Sequence, residues 1–297
     1  MSPTPRTLAG IAIALAAVVC FATLDTTTKY VSLSLPVLLA LWFRYMFQAV
    51  ATTVVMWPLV GRRLFQTEHP KYQCLRGALL VQTSMLAFFS LKYLPVGEFT
   101  AIVMLTPLVI TLFARSQLGE TVSRLRWLLV IGGFVGTLII IRPGHDDFSW
   151  AMLMPLALVA SNAGFQLLTS KLAQTEDAMT MQFYGGWVGA LLSSLALPFV
   201  WQPIASWGLW GALVLLGVMA TIGHLLLTLA YSRAPASTLT PFLYFQIGFA
   251  MLGGYLVFGH VPDSWALLGM LLIALCGAAG AWLTLKDSRL RIEPVES

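Results

Sequence analysis

The fold is decided by residues 178–232, AMTMQFYGGWVGALLSSLALPFVWQPIASWGLWGALVLLGVMATIGHLLLTLAYS, which contain no Asp, Glu, Lys or Arg. An α-helix needs about 20 residues to cross the hydrocarbon core of a bilayer, so this stretch is long enough for two crossings. Pro198, Gln202 and Pro203 mark the only plausible turn in it. The apolar runs are continuous and do not alternate with polar residues, which excludes the strands of a membrane β-barrel. The sequence therefore predicts a membrane-spanning helical hairpin here.

The whole chain has the composition of this stretch. It contains 297 residues, of which 58% are hydrophobic and 10% charged, whereas soluble globular proteins carry about 25% charged residues. Ten spans with short loops use up this length, which leaves no room for a soluble catalytic, receptor or nucleic-acid-binding domain. We therefore expect an all-α membrane protein of ten transmembrane helices. The predicted spans are 7–31, 36–59, 75–94, 98–117, 125–142, 148–171, 178–200, 207–232, 236–258 and 264–285.

The basic residues are distributed unevenly between the two sides of the predicted bundle. Of the 17 Lys and Arg residues, Lys29, Lys92 and Arg142 fall on one side, Arg44 falls inside the second span, and all others fall on the opposite side. Loops rich in Lys and Arg stay in the cytoplasm. We therefore predict a protein of the bacterial inner membrane with both termini cytoplasmic. The run from Leu8 resembles a signal peptide, but it is long enough to span, and we expect it to be the first helix.

The two halves of the sequence carry similar features in the same order. Leu105-Thr106-Pro107 and Leu118-Gly119-Glu120 correspond to Leu243–Gln246 and Phe258-Gly259-His260, and a glycine-containing span follows in each half. Five helices per half is an odd number, so the second half must enter the membrane inverted. We expect two inverted five-helix repeats, residues 1–145 and 146–297, with a substrate site near the midplane between them.

These motifs resemble the drug/metabolite transporter superfamily in its EamA-type, ten-helix form. Pro107 and Gly119-Glu120 keep the family pattern, whereas the second half has Gln246 and Ile247 where proline is expected and His260 where glutamate is expected. Length, loop pattern and aromatic content are most similar to the YddG-type bacterial aromatic amino-acid exporters. The resemblance implies a secondary transporter that exports small amphipathic metabolites, such as aromatic or other apolar amino acids, by alternating access.

Asp25 and Arg44 are the only charged residues deep in the predicted spans. Charges inside the membrane are costly and mark candidate functional sites. If the first hairpin turns near Ser34, each lies about nine residues from the turn and both reach a similar depth. Two interpretations stay open: a buried ion pair that locks the first two helices, or a site in which Arg44 meets a substrate carboxylate or Asp25 titrates. Because Arg44 would neutralise Asp25, the sequence favours passive, gradient-driven transport.

Neutral polar and aromatic residues at mid-depth are further substrate-binding candidates. They need hydrogen-bond partners in hydrocarbon, so they either join helices or line a cavity. Trp187 is the strongest single candidate, because an aromatic side chain with a polar edge suits an amphipathic solute. The candidates are Gln82, Thr106, Asn162, Gln166, Tyr184, Trp187, Tyr244 and Gln246.

Two prolines occupy corresponding spans of the two halves. Pro107 in the fourth span and Pro241 in the ninth each remove one backbone hydrogen bond. Paired interruptions of this kind point to hinges beside a transporter's site, although prolines also form static kinks in membrane helices. We therefore predict hinges at Pro107 and Pro241.

Other functions find less support. Within transporters, the alternative is an exporter of drugs or of another metabolite class; phosphorylated compounds would require several inward-facing cations. A membrane-embedded enzyme would be a different class, but the chain has no His-Glu-x-x-His or Gly-x-Ser-x-Gly motif, and its four histidines are scattered. We expect no enzyme activity, no cofactor or metal, and no nucleic-acid partner. The chain is expected to act in the lipid bilayer as a monomer or weak homodimer.

Overall fold

A computed structural model describes residues 5–110, 123–143, 150–172, 175–231, 233–234, 239 and 242–290. Ten helices of eight residues or more, and no strand, occur in these ranges. They are α1 Pro5–Ser32, α2 Val37–Val60, α3 Pro70–Tyr93, α4 Val96–Val103, α5 Arg124–Ile141, α6 Met154–Leu172, α7 Ala178–Ser194, α8 Trp207–Tyr231, α9 Phe245–Phe258 and α10 Ser264–Leu290. Short helical turns cover Gly61–Phe65, Trp150–Leu153 and Leu197–Val200.

The prediction of an all-α membrane protein of about ten helices is confirmed. Six stretches of the described chain, in α1, α2, α3, α5, α8 and α10, are long and apolar enough to cross a membrane, while Val96–Ile110 and α9 are shorter apolar helices. Most predicted boundaries agree within a few residues. The start of α3 differs: the helix begins at Pro70 and not near residue 75. The reason is that proline is well suited to the first helical turn. The seventh span ends at Ser194 and resumes as the turn Leu197–Val200.

The helices pack in a regular set of pairs. α1 lies along α8 and α9, α3 lies along α6 and α7, and α2 lies along α7 and α8. α4 packs on α9 and α6, and α5 packs on α10. One apolar cluster joins α4, α5, α9 and α10, and a second joins α1, α2, α3, α7 and α8.

Glycines allow the closest of these contacts. A Cβ atom added at Gly136 of α5 would lie 2.8 Å from the carbonyl oxygen of Gly269 in α10, and one at Gly269 would lie 2.6 Å from that of Gly136. At one end of the same pair, Arg142 follows α5 in the left-handed conformation (φ 48°) and its guanidinium contacts Asp263, which precedes α10. The small-residue faces of these helices therefore serve close packing.

The bundle has two ends, which we name by their loops. The end that carries the α2–α3 connection, with Arg62 and Arg63, is called the basic face. The end that carries the α1–α2 and α9–α10 connections is called the opposite face. At the basic face, Asp177 accepts hydrogen bonds from the backbone N–H groups of Met179 and Thr180 and so begins α7.

Candidate functional site

The fourth span is interrupted inside the bundle. The helix ends at Val103, turns at Met104 and resumes at Thr106. Pro107 has no N–H, so the Val103 carbonyl four residues earlier lacks its normal donor. The Thr106 hydroxyl donates to this carbonyl over 2.7 Å. The interruption that the sequence predicts at Pro107 is therefore present, and a neighbouring hydroxyl replaces the missing bond.

The ninth span is interrupted at the corresponding point, and the two interruptions touch. Tyr244 lies in a turn immediately before Phe245, the first residue of α9, and its hydroxyl donates to the carbonyl of Met104 over 3.1 Å. Gly277 of α10 leaves room for the tyrosine ring, since a Cβ atom there would lie 1.9 Å from it. Pro241, the other predicted hinge residue, lies outside the described residues.

Asp25 of α1 is bound by residues beside both interruptions. Its Oδ2 accepts a hydrogen bond from the Thr100 hydroxyl at 3.2 Å and from Gln246 Nε2 at 3.1 Å. Thr100 lies one turn before the break in α4, and Gln246 follows Tyr244 by two residues. Both donors are buried. A membrane-embedded carboxylate is thus held by neutral side chains where α1, α4 and α9 meet.

Arg44 of α2 lies in a second polar cluster with α3 and α8. Its guanidinium donates to the Ser84 hydroxyl and lies 3.3 Å from His224 Nε2. The hydroxyl of Tyr45 is 2.8 Å from that of Ser84 and donates to the Leu80 carbonyl. Arg44 is 3% exposed, and its Nε is buried without a hydrogen-bond partner among the described residues.

Asp25 and Arg44, both in the described part of the chain, do not form the direct ion pair that their similar depth allows. Each is hydrogen-bonded to its own neutral partners. The reason is the packing, since α1 lies mainly along α8 and α9, whereas α2 lies mainly along α7 and α8. Arg44 therefore does not neutralise Asp25 through a direct ion pair, and the expectation of passive transport loses the contact on which it depended.

The sixth span adds an amide to the break in α4. Asn162 Nδ2 donates to the Thr106 hydroxyl over 3.3 Å, and Gln166, one turn further along α6, is half-buried. The structure therefore brings Thr106, Asn162, Tyr244 and Gln246 together around the two interruptions, with Asp25 beside them.

Three sequence candidates lie elsewhere. The indole N–H of Trp187 donates to Thr53 over 3.0 Å, and the hydroxyl of Tyr184 donates to the Phe65 carbonyl at the basic face over 3.0 Å. Gln82 is exposed, on the face of α3 away from the buried residues. The face of α7 that packs against α2 consists of small residues such as Gly186 and Gly189. Trp187 therefore lies beside this contact face and not at the two interruptions.

Sequence reasoning missed the buried acid Glu98. It is 5% exposed, and its Oε1 lies 2.8 Å from His260 Nε2 at the opposite face. Nearby, Lys29 Nζ donates to the carbonyls of Leu91 and Leu94 at 2.9 and 2.8 Å. Glu98 is in the first turn of α4, where carboxylates are common, so nothing in its sequence position distinguishes it from an ordinary helix start.

At the basic face, Glu176 is a second acidic residue that the sequence analysis does not single out, and it connects two loops. Glu176 Oε1 accepts hydrogen bonds from the Thr67 hydroxyl at 2.6 Å and from the backbone N–H groups of Glu68 and His69 at 3.0 Å. Burial acts to raise the pKa of Glu176, but these hydrogen bonds outweigh it and hold the pKa below its ordinary value of 4.5. This carboxylate ties the α6–α7 connection to the α2–α3 connection.

Within the described residues, no group of three or more His, Cys, Asp or Glu could hold a metal ion.

Comparisons with known proteins agree with this architecture. A family model described as "EamA-like transporter family" matches residues 8–142. The chain is 30% identical to the riboflavin transporter of Vibrio cholerae serotype O1, over 93% of this chain and 94% of that protein. It is 28% identical to the S-adenosylmethionine uptake transporter of Rickettsia bellii, over 84% and 85% of the two chains.

A solved crystal structure has the same fold. It superposes with a TM-score of 0.68 at 19% sequence identity, and the match covers 93% of this chain and 97% of that chain. The protein is accordingly a multi-pass membrane transporter of small molecules, and it belongs to the EamA-like transporter family of the drug/metabolite transporter superfamily.

Proposed function

We propose that this transporter carries small amphipathic metabolites that bear an α-amino-acid group, such as aromatic or other apolar amino acids. The observation that supports this most directly is the separation of Asp25 from Arg44. Both lie within membrane-spanning helices, Arg44 buried and Asp25 half-buried, and each is held on neutral partners rather than on the other. A zwitterion supplies the two missing charges, with its ammonium group on Asp25 and its carboxylate on Arg44.

The chemistry of the two clusters fits such a solute. Isolated charges in hydrocarbon are costly, and an arginine guanidinium binds carboxylates in a planar, two-bonded geometry. The neutral residues Thr106, Asn162 and Gln246 add hydrogen-bonding groups within a mostly apolar interior, as in other small-molecule sites. A phosphorylated substrate would need several free cations. Besides Arg44 and His224, this part of the described chain holds the buried Arg76, and Arg76 already donates to the Thr169 hydroxyl and the Met181 carbonyl.

We propose that residues 1–145 and 146–297 form two inverted repeats that alternate access to this site. The helix pairs support the proposal. In such a repeat, each helix of the first half corresponds to the helix five places later in the chain, so that α1 corresponds to α6, α2 to α7 and α3 to α8. The α1–α8 pair then corresponds to the α6–α3 pair, and the α3–α7 pair to the α8–α2 pair. All four pairs occur. The α4–α9 contact maps onto itself, which is the pattern that interruptions beside a two-fold axis would give. Pro107 and Pro241 are the proposed hinges.

The orientation is proposed from the charges. Arg62, Arg63 and Lys71 lie at the basic face, which by the distribution of basic residues is cytoplasmic, in the inner membrane of a bacterium. Export is the direction implied by the resemblance to amino-acid exporters. The Rickettsia bellii relative is named an uptake transporter, so a reversible carrier driven by the substrate gradient fits both.

Riboflavin is a second candidate, because the Vibrio cholerae relative that matches 93% of this chain is a riboflavin transporter. Riboflavin is neutral and combines a flat ring with a polar chain, so it would depend on the neutral residues and not on the charged pair. S-adenosylmethionine carries an α-amino-acid group and is compatible with the first proposal.

Counterflow into proteoliposomes distinguishes these substrates. Vesicles containing the purified protein are preloaded with unlabelled solute, and accumulation of labelled tryptophan, leucine, S-adenosylmethionine or riboflavin is followed. The proposal expects accumulation of tryptophan that protein-free vesicles do not show. Accumulation of riboflavin without any amino-acid-bearing solute would instead establish the second candidate.

A further inference from the structure

A groove of about 260 Å³ lies between α2, α7 and α8. Most of its lining is apolar, and Phe47, Val55 and Leu225 are typical members. Three polar residues also line it, Thr52, Gln182 and Thr221. Gln182 Nε2 donates to the Thr221 carbonyl over 3.4 Å, so that amide is engaged, whereas the hydroxyl of Thr52 has no partner in the described chain.

Thr52, which lines the groove, is the last residue of a stripe of polar residues on α2 that begins at Arg44. Arg44, Gln48 and Thr52 follow one another at intervals of four residues, which places them on one face of the helix, about 6 Å apart. They are 3%, 0% and 6% exposed. Each has a buried polar atom without a hydrogen-bond partner among the described residues: Arg44 Nε, Gln48 Oε1 and Thr52 Oγ1. Buried polar atoms are normally paired, so three in succession indicate a missing partner.

The three atoms differ in what they can bind. Arg44 Nε can only donate and suits an anionic oxygen. Gln48 Oε1 can only accept, and the Thr52 hydroxyl can accept or donate. A matching solute therefore presents a carboxylate at one end and an N–H donor about one helical turn away. The apolar groove beyond Thr52 accommodates the flat body that bears this donor.

We propose that this stripe, defined as Arg44, Gln48 and Thr52, is the specificity-determining part of the substrate site and selects heteroaromatic rings that carry an N–H group. The solute lies along α2, with its carboxylate on Arg44, its ring N–H on Gln48 or Thr52, and its ring in the groove. Tryptophan is then preferred over phenylalanine, which has the same head group and a flat ring without a donor. The inference rests on the proposed function and adds the ring preference to it.

The test compares the wild type with Thr52→Val, which keeps the shape of the side chain and removes the hydroxyl. In counterflow, we expect the KM for tryptophan to rise about tenfold in Thr52→Val, while the KM for phenylalanine stays within twofold. The temperature of unfolding should stay the same or rise, because the hydroxyl that is removed has no partner in the protein. A structural role for Thr52 would lower that temperature and affect both solutes equally.

Filling the groove provides a second, independent variant. Val55→Trp should weaken transport of both aromatic amino acids at least tenfold. The matched control is Leu271→Trp, which fills the groove of about 190 Å³ between α5 and α10, where Ile139, Leu268 and Leu275 are also part of a wholly apolar lining. This control should transport like the wild type.

The outcomes separate the two proposals. A wild type that moves no amino acid contradicts the proposed function, and this inference with it. A wild type that moves tryptophan and phenylalanine equally well, or variants Thr52→Val and Val55→Trp that leave tryptophan transport unchanged, contradicts this inference alone. Loss of a co-purified phospholipid from Val55→Trp with unchanged transport would identify the groove as a lipid site and also overturn it.

Discussion

At the scale of single residues, the structure replaces one expected contact by two clusters. Asp25 and Arg44 reach similar depths, but Asp25 is hydrogen-bonded to Thr100 and Gln246, and Arg44 to Ser84. A direct ion pair would satisfy both charges within the protein and leave nothing for a substrate. Because neutral groups hold each charge instead, removing either one should affect solute binding more than folding.

Glu176 gives a residue-scale prediction that depends on pH. A group whose pKa is lower in the folded protein stabilises that state at pH values above its unfolded pKa, and the contribution disappears as the pH falls through the folded pKa. Glu176→Gln should therefore lower the temperature of unfolding at pH 7, and the difference from the wild type should vanish in acid, below the ordinary pKa of 4.5. Thermal unfolding of both proteins across this range checks it, and a difference that is independent of pH would contradict the assignment.

At the scale of helices, the interruption in α4 contacts the interruption in the ninth span. The Tyr244 hydroxyl donates to the Met104 carbonyl, and the Thr106 hydroxyl donates to the Val103 carbonyl, which Pro107 leaves without its helical donor. The prolines made an interruption predictable, because a missing N–H follows from the residue type alone. That Tyr244 would join the two interruptions was not predictable, since it depends on how two distant segments approach each other.

Gly277→Ala tests this packing. The added methyl group would lie 1.9 Å from the Tyr244 ring, so the ring must shift and the hydrogen bond to Met104 should be lost. We expect a loss of about 1–3 kcal/mol in the free energy of unfolding, measured by denaturant titration in detergent. Gly248→Ala is the matched control in α9, since a Cβ atom there meets nothing within 4 Å, and it should leave stability unchanged or raise it by up to about 1 kcal/mol. Equal effects of the two substitutions would contradict the described packing.

Pro107→Ala tests the proposed hinge. Alanine restores the backbone N–H, which can bond the Val103 carbonyl and make α4 continuous. We expect the maximal counterflow rate to fall severalfold while substrate binding at equilibrium changes little, because a stiffer helix slows the change of access and not the site itself. Pro58→Ala provides the control, since Pro58 lies inside α2 near its exposed end. A variant Pro107→Ala with wild-type rates would mean that the proline is a static kink.

At the scale of the whole molecule, the sequence predicted the architecture better than the site. Helix number and boundaries follow from apolar runs and polar breaks, which are local properties. Trp187 shows the limit of this reasoning, because mid-depth does not reveal which way a side chain points, and here its indole is bonded to Thr53. Ser84 and Thr100 were overlooked for the same reason, since hydroxyl residues in membrane helices often bond only their own backbone.

The proposed orientation yields a prediction for the whole chain. If the basic face is cytoplasmic, a reporter fused after Ser297 should show cytoplasmic activity, because α10 begins at the opposite face and leads back to the basic face. A cysteine introduced at Asp263, at the opposite face, should react with a membrane-impermeant thiol reagent from outside. The exposed Cys74 is replaced by serine beforehand. Reporter activity outside the cell would contradict the orientation.

If Asp25 and Arg44 hold the two ends of a zwitterion, counterflow should distinguish tryptophan from analogues that carry only one of its two charges. Tryptamine lacks the carboxylate, and indole-3-propionate lacks the ammonium group. The wild type should move tryptophan at least tenfold faster than either analogue. In Asp25→Asn, the ratio of tryptophan transport to indole-3-propionate transport should fall, while the ratio to tryptamine transport stays the same. In Arg44→Gln, the ratio of tryptophan transport to tryptamine transport should fall, while the ratio to indole-3-propionate transport stays the same. Full-rate tryptophan transport by both folded variants would contradict the account.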